Sequence, residues 1–467
     1  MSRDPGRPGR RAAVVLALAI SVVTVPPSAG AAAAQEGGQG QGATLAVVGG
    51  RLIDGNEGPA IPNSVVLVSG NRITWVGTVD DTEIPAGVEV VDADGYTVMP
   101  GLSDAHVHTM IVGHGVYDEY FPAYRDRFRE IMPISARELL MSGVTSARDL
   151  GAPLGDALWL RDEIEAGRLP GPRLFVSGPF LQAALPSGAG ASYDSRVQSS
   201  FRWAVDGAED ARAKARRLVD AGVDVVKVIQ LDRLTASERS AIADVAREAG
   251  LPIAVHAYSV DEVRMAAEMG AASIEHVGGG RKPRYPDETV RLMADHGIYS
   301  VPTSVVDRVL DLTLAFPERL DAPRLRRDLP EDLYRDVRAS LRFFTRLDYF
   351  EGDIDDGRNG ADKIPQLFEG GVPLAVGTDS GTPMNFHYES TWREMALLVE
   401  YGIPPMKVVT MATREPARLY GVGDDLGTVE PGKLADIIVV DGDPLTDMAS
   451  LSPNRVVHVI RDGEVVR

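Results

Sequence analysis

The stretch Tyr96-Thr97-Val98-Met99-Pro100-Gly101-Leu102-Ser103-Asp104-Ala105-His106-Val107-His108 decides how the chain is read. Its apolar half predicts a buried strand from Thr97 to Leu102, and its polar end sets two histidines two residues apart. In extended backbone, side chains at i and i+2 project to the same side, so both imidazoles can reach one cation. A histidine pair at this spacing is also an ordinary polar strand face. Its meaning depends on what ends the other apolar runs.

Further runs follow at Gly143 to Arg148, Arg173 to Ser177, Asp224 to Ile229, Ile253 to Ala257, Ser273 to His276, Ile298 to Pro302 and Leu374 to Gly377. They are mostly apolar and β-branched, as strands buried on both faces should be. Helical patterns fill several gaps, notably Gly207 to Ala221, Ala236 to Ala249, Ser259 to Met269 and Tyr388 to Tyr401. Eight alternations predict an α/β chain folded as a (β/α)8 TIM barrel. A doubly wound sheet is the alternative, but no Gly-rich phosphate loop follows the first strand. Two long connections, Phe180 to Trp203 and Thr303 to Gly371, are expected to wall and cover the face where the strands end.

Short alternating runs flank this middle. Thr44 to Val48, Ser64 to Ser69, Arg72 to Val76 and Val88 to Val91 precede it, and Ala435 to Val440, Arg455 to Arg461 and Glu464 to Val466 follow it. Neither set can build a sound core alone, so the two are expected to pair into a small β-sandwich. The resulting division is 44–98 and 421–467 for the sandwich and 99–420 for the barrel. Ahead of them, Arg3, Arg7, Arg10 and Arg11, the apolar stretch Ala12 to Val23 and the small residues up to Ala34 read as an export signal over 1–34. Residues 35–43 read as a flexible Gly/Gln-rich linker. The protein is thus expected in the periplasm or medium, with no stable membrane insertion once the signal is removed.

Lys plus Arg is 48 against 67 Asp plus Glu, a net charge of −19 that disfavours nucleic acid and anionic membranes as partners. No cysteine is present, which removes thiolate ligands, thiol nucleophiles and disulfides.

The C-terminal ends of parallel barrel strands converge on one face. His106, His108, Lys227, His256, His276 and Asp379 each stand near such an end. Each has an ordinary reading too. Lys227, inside Val225-Val226-Lys227-Val228-Ile229, could pack its stem and send its ammonium to water. His256 and His276 could be satisfied core histidines, and Asp379 a helix cap. Taken together, neutral imidazoles, a carboxylate and a lysine whose pKa burial lowers make a metal-binding set. Tyr258 shares strand parity with His256 and is either a donor to a developing oxyanion or a plain wall aromatic. His114 and His387 are placed in loops where they could touch substrate, and His296 and His458 at the surface. Arg148-Asp149 reads as a structural pair at the barrel mouth.

These motifs, with Gly377-Thr378-Asp379-Ser380 and Glu430-Pro431-Gly432-Lys433-Leu434-Ala435-Asp436, resemble the amidohydrolase superfamily. Val255-His256-Ala257-Tyr258 and Ser273-Ile274-Glu275-His276 resemble its imidazolonepropionase-related, prolidase-like branch. One departure is the segment after strand three, Ser177-Gly178-Pro179-Phe180-Leu181-Gln182-Ala183, where prolidase-like enzymes tend to carry Gly-Gly-His. The resemblance implies two divalent metal ions of zinc type, one on His106, His108 and Asp379 and one on His256 and His276. A CO2-derived carbamate on Lys227 would lie between them. It implies attack of a metal-bridging hydroxide on a small-molecule amide, a dipeptide or N-acyl amino acid, with Asp379 carrying the proton, and it allows a homo-oligomer. The alternatives are a one-metal cyclic amide hydrolase or ring deaminase, and a solute-binding protein that keeps the scaffold without the chemistry.

Overall fold

The computed structural model describes residues 42–184, 199–277, 284–350 and 360–467. The expected export signal and residues 35–41 of the expected linker lie outside them. Among the described residues, no helix is long and apolar enough to cross a membrane.

The chain is α/β, and its parallel strands are buried on both faces. Every residue of Leu102–Val107, Val144–Asp149, Val226–Val228 and Ser273–Glu275 is buried, which explains continuous apolar runs in place of alternation. One parallel sheet runs in the order Arg202–Val205, Phe180–Ala183, Val226–Val228, Ile253–His256, Ser273–Glu275, Tyr299–Val301. A second holds Leu102–Val107, Val144–Asp149 and Arg173–Val176. Residues 374–380 link the two: Leu374 bridges Ser300, the Ala105 N–H donates to the Val376 carbonyl at 2.8 Å, and Ser380 bridges Val107. On the other flank, the Asp224 N–H donates to the Val176 carbonyl at 2.9 Å. Because these strands share one direction, their C-terminal ends lie together.

Helices form where the periodicity places them, at Gly207–Ala221, Ala236–Ala249, Val260–Met269 and Ser390–Glu400. Two start with reciprocal caps. Thr235 Oγ1 accepts from the Glu238 N–H while the Glu238 carboxylate accepts from the Thr235 N–H, and Ser259 and Glu262 repeat the arrangement. Such caps satisfy N–H groups that a helix cannot bond internally.

Strand one requires a correction. Thr97–Pro100 belongs to neither of the two parallel sheets: it pairs antiparallel with Ile437–Val440 and parallel with Arg51–Leu52. The parallel strand begins at Leu102 and carries His106 within it. Gly101 separates the two, and a Cβ there would stand 2.1 Å from Thr145 Oγ1, so glycine permits the close passage between sheets. Both halves are buried, so hydrophobicity could not tell them apart. The connection from Phe180 to Trp203 also differs from the expected loop, because Phe180–Ala183 and Arg202–Val205 are paired parallel strands.

The chain ends meet in two further sheets. One is ordered Arg72–Thr78, Ser64–Ser69, Leu45–Val48, Glu89–Asp92, and the other Glu464–Val465, Val456–Arg461, Ile437–Val440, Thr97–Pro100, Arg51–Leu52. Leu45, Val47, Val66 and Val68 of the first share an apolar cluster with Ile437, Val439 and Ile460 of the second.

Candidate functional site

His106, His108, Lys227, His256, His276 and Asp379 line one cavity of about 160 Å³. Their elements deliver them from different directions: His106 from inside Leu102–Val107, Lys227 from Val226–Val228, His256 from the end of Ile253–His256. His108, His276 and Asp379 stand just past strands. One donor atom each from His106, His108 and Asp379 lie within 4.8 Å of one another. Asp379 Oδ1 is 3.0 Å from His108 Nε2 and 3.5 Å from His106 Nε2. The His276 ring centroid is 5.1 Å from that of His106 and 4.4 Å from that of His256. Lys227 Nζ is buried and has no hydrogen-bond partner.

Backbone geometry sets up this convergence. A Cβ on Gly377 would meet Val301 Cγ1 at 2.3 Å and His106 Cβ at 3.0 Å, so only glycine lets 374–380 lie this close to the neighbouring strands. Asp379 then adopts φ +55°, a left-handed conformation that Asp tolerates better than most residues. Asn385 Nδ2 holds it there by donating to the carbonyls of Thr378 and Asp379 at 2.8 and 3.0 Å. Asp104 ties the same loop to the histidine strand, accepting from the Thr378 and Thr391 hydroxyls at 2.7 and 2.9 Å. The hydroxyl of Thr378 is thereby spent on Asp104.

Sequence reasoning missed the layer beneath the ligands. His106 Nδ1 is 2.9 Å from Glu275 Oε2, and the Arg148 guanidinium donates to Glu275 Oε1 at 2.7 Å and to the Ala105 carbonyl at 2.8 Å. Both Glu275 and Arg148 are fully buried. A carboxylate at Nδ1 puts the proton on that nitrogen and leaves Nε2 as the donor toward the cavity. Strict alternation would send Glu275 and His276 to opposite sides. His276 escapes it with φ +71°, and its Nδ1 lies 2.7 Å from the Thr303 hydroxyl. The available signal was an acid immediately before a strand-end histidine, matched by the cation Arg148 in another buried strand.

The electrostatics favour metal-competent forms. Burial holds His106 and His256 well below the usual imidazole range, and lowers His276 to about 4, so all three are neutral near pH 7. Burial alone would raise Asp379, but its hydrogen bond to His108 and the nearby imidazoles hold it below the usual carboxylate range. Lys227 is pushed down to about 8, chiefly by burial, with Glu275 opposing and Arg148 reinforcing.

Other expectations are corrected. Arg148 and Asp149 do not pair: Arg148 turns inward to Glu275, and Asp149 accepts from the Thr109 and Gly151 N–H groups. His114 is buried outside the cavity, accepting from the Val116 N–H, with Asp336 3.4 Å away. His387 is buried too, 3.2 Å from the His108 carbonyl, behind the ligands. His296 is exposed, as expected, whereas His458 is half-buried. Tyr258 lies beyond the strand that ends at His256, so parity no longer sets its direction. It is 53% exposed, edge-on to His256 at 4.3 Å and stacked on His276 at 5.5 Å, at the rim.

Divalent cations suit this donor set: neutral imidazoles with fixed tautomers, an ionised carboxylate, and a buried amine with no partner. The model described as the Amidohydrolase family matches residues 97–466. A 5-methylthioadenosine/S-adenosylhomocysteine deaminase of Symbiobacterium thermophilum is 24% identical over 444 residues, covering 86% of this chain and 88% of its own. An imidazolonepropionase of Geobacillus kaustophilus is 24% identical, covering 87% and 90%. The solved structure of a Xaa-Pro dipeptidase with bound methionine in its active site is 28% identical, with a TM-score of 0.72 over 91% of this chain and 99% of that one. With a family match that spans most of its length, this chain belongs to the amidohydrolase family.

Proposed function

We propose that the chain is an exported metal-dependent hydrolase that cleaves an amide C–N bond, most simply that of a dipeptide or N-acyl amino acid. Its scaffold on this reading is a (β/α)8 barrel with a β-sandwich built from both chain ends. The observation that carries the reading is Lys227, a buried amine without a partner among three neutral histidines and a carboxylate. With its pKa near 8, a useful fraction is neutral at physiological pH. The neutral nitrogen can form an N–C bond to CO2 and release a proton, giving an anionic carbamate. His106, His108 and Asp379 would hold one zinc-type ion, His256 and His276 a second, with the carbamate between.

Such ions, when bound, supply Lewis acidity and lower the pKa of water toward about 7. The chain's own residues do the rest. Asp379 accepts a proton from the attacking water and delivers it to the departing nitrogen, which leaves only when protonated. The Tyr258 hydroxyl, at the rim beside His256 and His276, donates to the oxyanion. Glu275 keeps the His106 ring oriented, with Arg148 as its counter-charge.

A second reading, a one-metal cyclic amide hydrolase or ring deaminase, draws support from the compact three-donor group and from the names of the two curated relatives. One experiment separates them. Wild type and Lys227→Ala are purified with zinc and bicarbonate, metal content is measured, and dipeptides, N-acyl amino acids and cyclic imides are assayed. Two ions in wild type and loss of one or both in the variant are expected; full retention of metal and rate in Lys227→Ala removes the carbamate. A net charge of −19 supports a small-molecule substrate over nucleic acid. Export rests on the arginines and apolar stretch ahead of Ala34, and finding the protein confined to the cytoplasm would overturn it.

A further inference from the structure

The side of the cavity facing the ligands is an aromatic arc. Tyr349 meets Tyr117 edge-on at 5.8 Å, Tyr117 meets Phe121 at 5.4 Å, Phe121 meets Phe201 at 5.0 Å, and Phe201 meets Phe180 edge-on at 5.9 Å. All five rings line the cavity. They come from separated parts of the chain: the helix Tyr117–Tyr124, the strand Phe180–Ala183, the residue just before the strand Arg202–Val205, and the turn at Asp348–Phe350. Met110, Ile111, Leu150 and Ile229 also line the cavity. Rings at these separations are in the favourable edge-to-face and offset range, so the arc is a held surface.

From this surface we infer that the arc is a subsite for one ring-sized apolar group beside the scissile bond. The substrate class is then amides of aromatic or branched aliphatic amino acids. The inference rests on the amide-hydrolase reading above and adds its side-chain preference. The cavity of about 160 Å³ is shared between the six candidate ligand side chains and the arc, so the room left against the arc is that of one ring-sized group at most. Charged side chains would be stripped of water against the arc with few polar atoms in return. The polar groups on this side are the hydroxyls of Tyr117, Tyr349 and Thr382 and the guanidinium of Arg202, which lies over Phe180 at 5.1 Å and Phe201 at 5.6 Å. Arg202 makes an acidic side chain the competitor to be excluded.

The test compares kcat/KM for N-acetyl-phenylalanine, N-acetyl-leucine, N-acetyl-alanine, N-acetyl-lysine and N-acetyl-aspartate with zinc-loaded wild type, Phe121→Ala and Tyr349→Ala. We expect the phenyl and isobutyl substrates to lead by about tenfold or more in wild type, and that lead to shrink in both variants. Tyr349 is half-buried in a short turn, so its variant remains informative if Phe121→Ala does not fold. A flat profile, or a lead for aspartate or lysine, overturns the inference and leaves the amide-hydrolase reading standing. If no substrate is cleaved, that reading fails. The subsite is then judged by calorimetry: N-acetyl-phenylalanine must bind wild type tighter than N-acetyl-aspartate and lose this margin in Tyr349→Ala, and equal binding overturns it.

Discussion

At the residue scale, the Glu275–Arg148 pair is the most consequential feature outside the ligands. Glu275→Gln leaves a buried guanidinium without its counter-charge and His106 without its fixed tautomer. Breaking such a pair costs about 3–5 kcal/mol, and losing a ligand's hydrogen-bond partner costs about 10–100-fold in metal affinity. Denaturant unfolding and chelator competition read these two effects, and a variant with wild-type stability and affinity would contradict the arrangement. Replacing Glu275 and Arg148 together with leucine and methionine should recover stability without recovering metal affinity. The proposed proton and oxyanion roles have their own signature. Asp379→Asn and Tyr258→Phe should fold as judged by circular dichroism, with kcat lowered by about 10² or more for the first and less for the second, and KM little changed. The six residues that the cavity gathers were readable because each histidine, lysine or aspartate interrupts or ends an apolar run. Glu275 and Arg148 were hidden because a buried charge announces itself only through its partner, and that partner is 127 positions away.

At the scale of elements, the helix Ser390–Glu400 is tied to the start of the helix Ser304–Ala315 by one carboxylate. Glu394 Oε2 accepts from the Val305 N–H at 2.6 Å, and Glu394 is fully buried. Burial raises its pKa from 4.5 to about 8, against the backbone hydrogen bonds that lower it. Between those values the folded protein keeps a proton that the unfolded chain has released, so this group's stabilisation falls as pH rises from 4.5 to about 8. Glu394→Gln keeps an acceptor for Val305 and removes the titration. The variant should match wild type near pH 4.5 and exceed it by on the order of 4 kcal/mol at pH 8.5. Equal urea midpoints for the two proteins across that range would contradict it. Helices such as Ala236–Ala249 were legible to the residue, since their caps and periodicity are local. The boundary at Gly101 and the strand pair Phe180–Ala183 with Arg202–Val205 were not, because sheet membership is settled by distant partners such as Ile437–Val440 and Val226–Val228.

At the scale of the molecule, the proposed ligands come from five chain segments that only the folded state brings together, so metal bound there would stabilise the fold. A ligand confined to the folded state adds RT ln(1 + [L]/Kd), about 4 kcal/mol at a thousandfold excess over Kd. Dialysis against a chelator should abolish activity and lower the thermal midpoint by several degrees, and zinc with bicarbonate should restore both. An unchanged midpoint would mean that these side chains hold no tightly bound ion.

Local chemistry determined the helices, the buried character of the strands, the terminal β segments and the residue types able to bind a cation, because caps, periodicity and side-chain donors act within a few residues. Which strand joins which sheet, which acid orients His106, and which rings face the ligands were decided by tertiary structure alone. Those depend on pairings across hundreds of residues and on single conformations, such as the left-handed backbone at His276 and Asp379, that burial and hydrogen bonding impose from outside the local sequence.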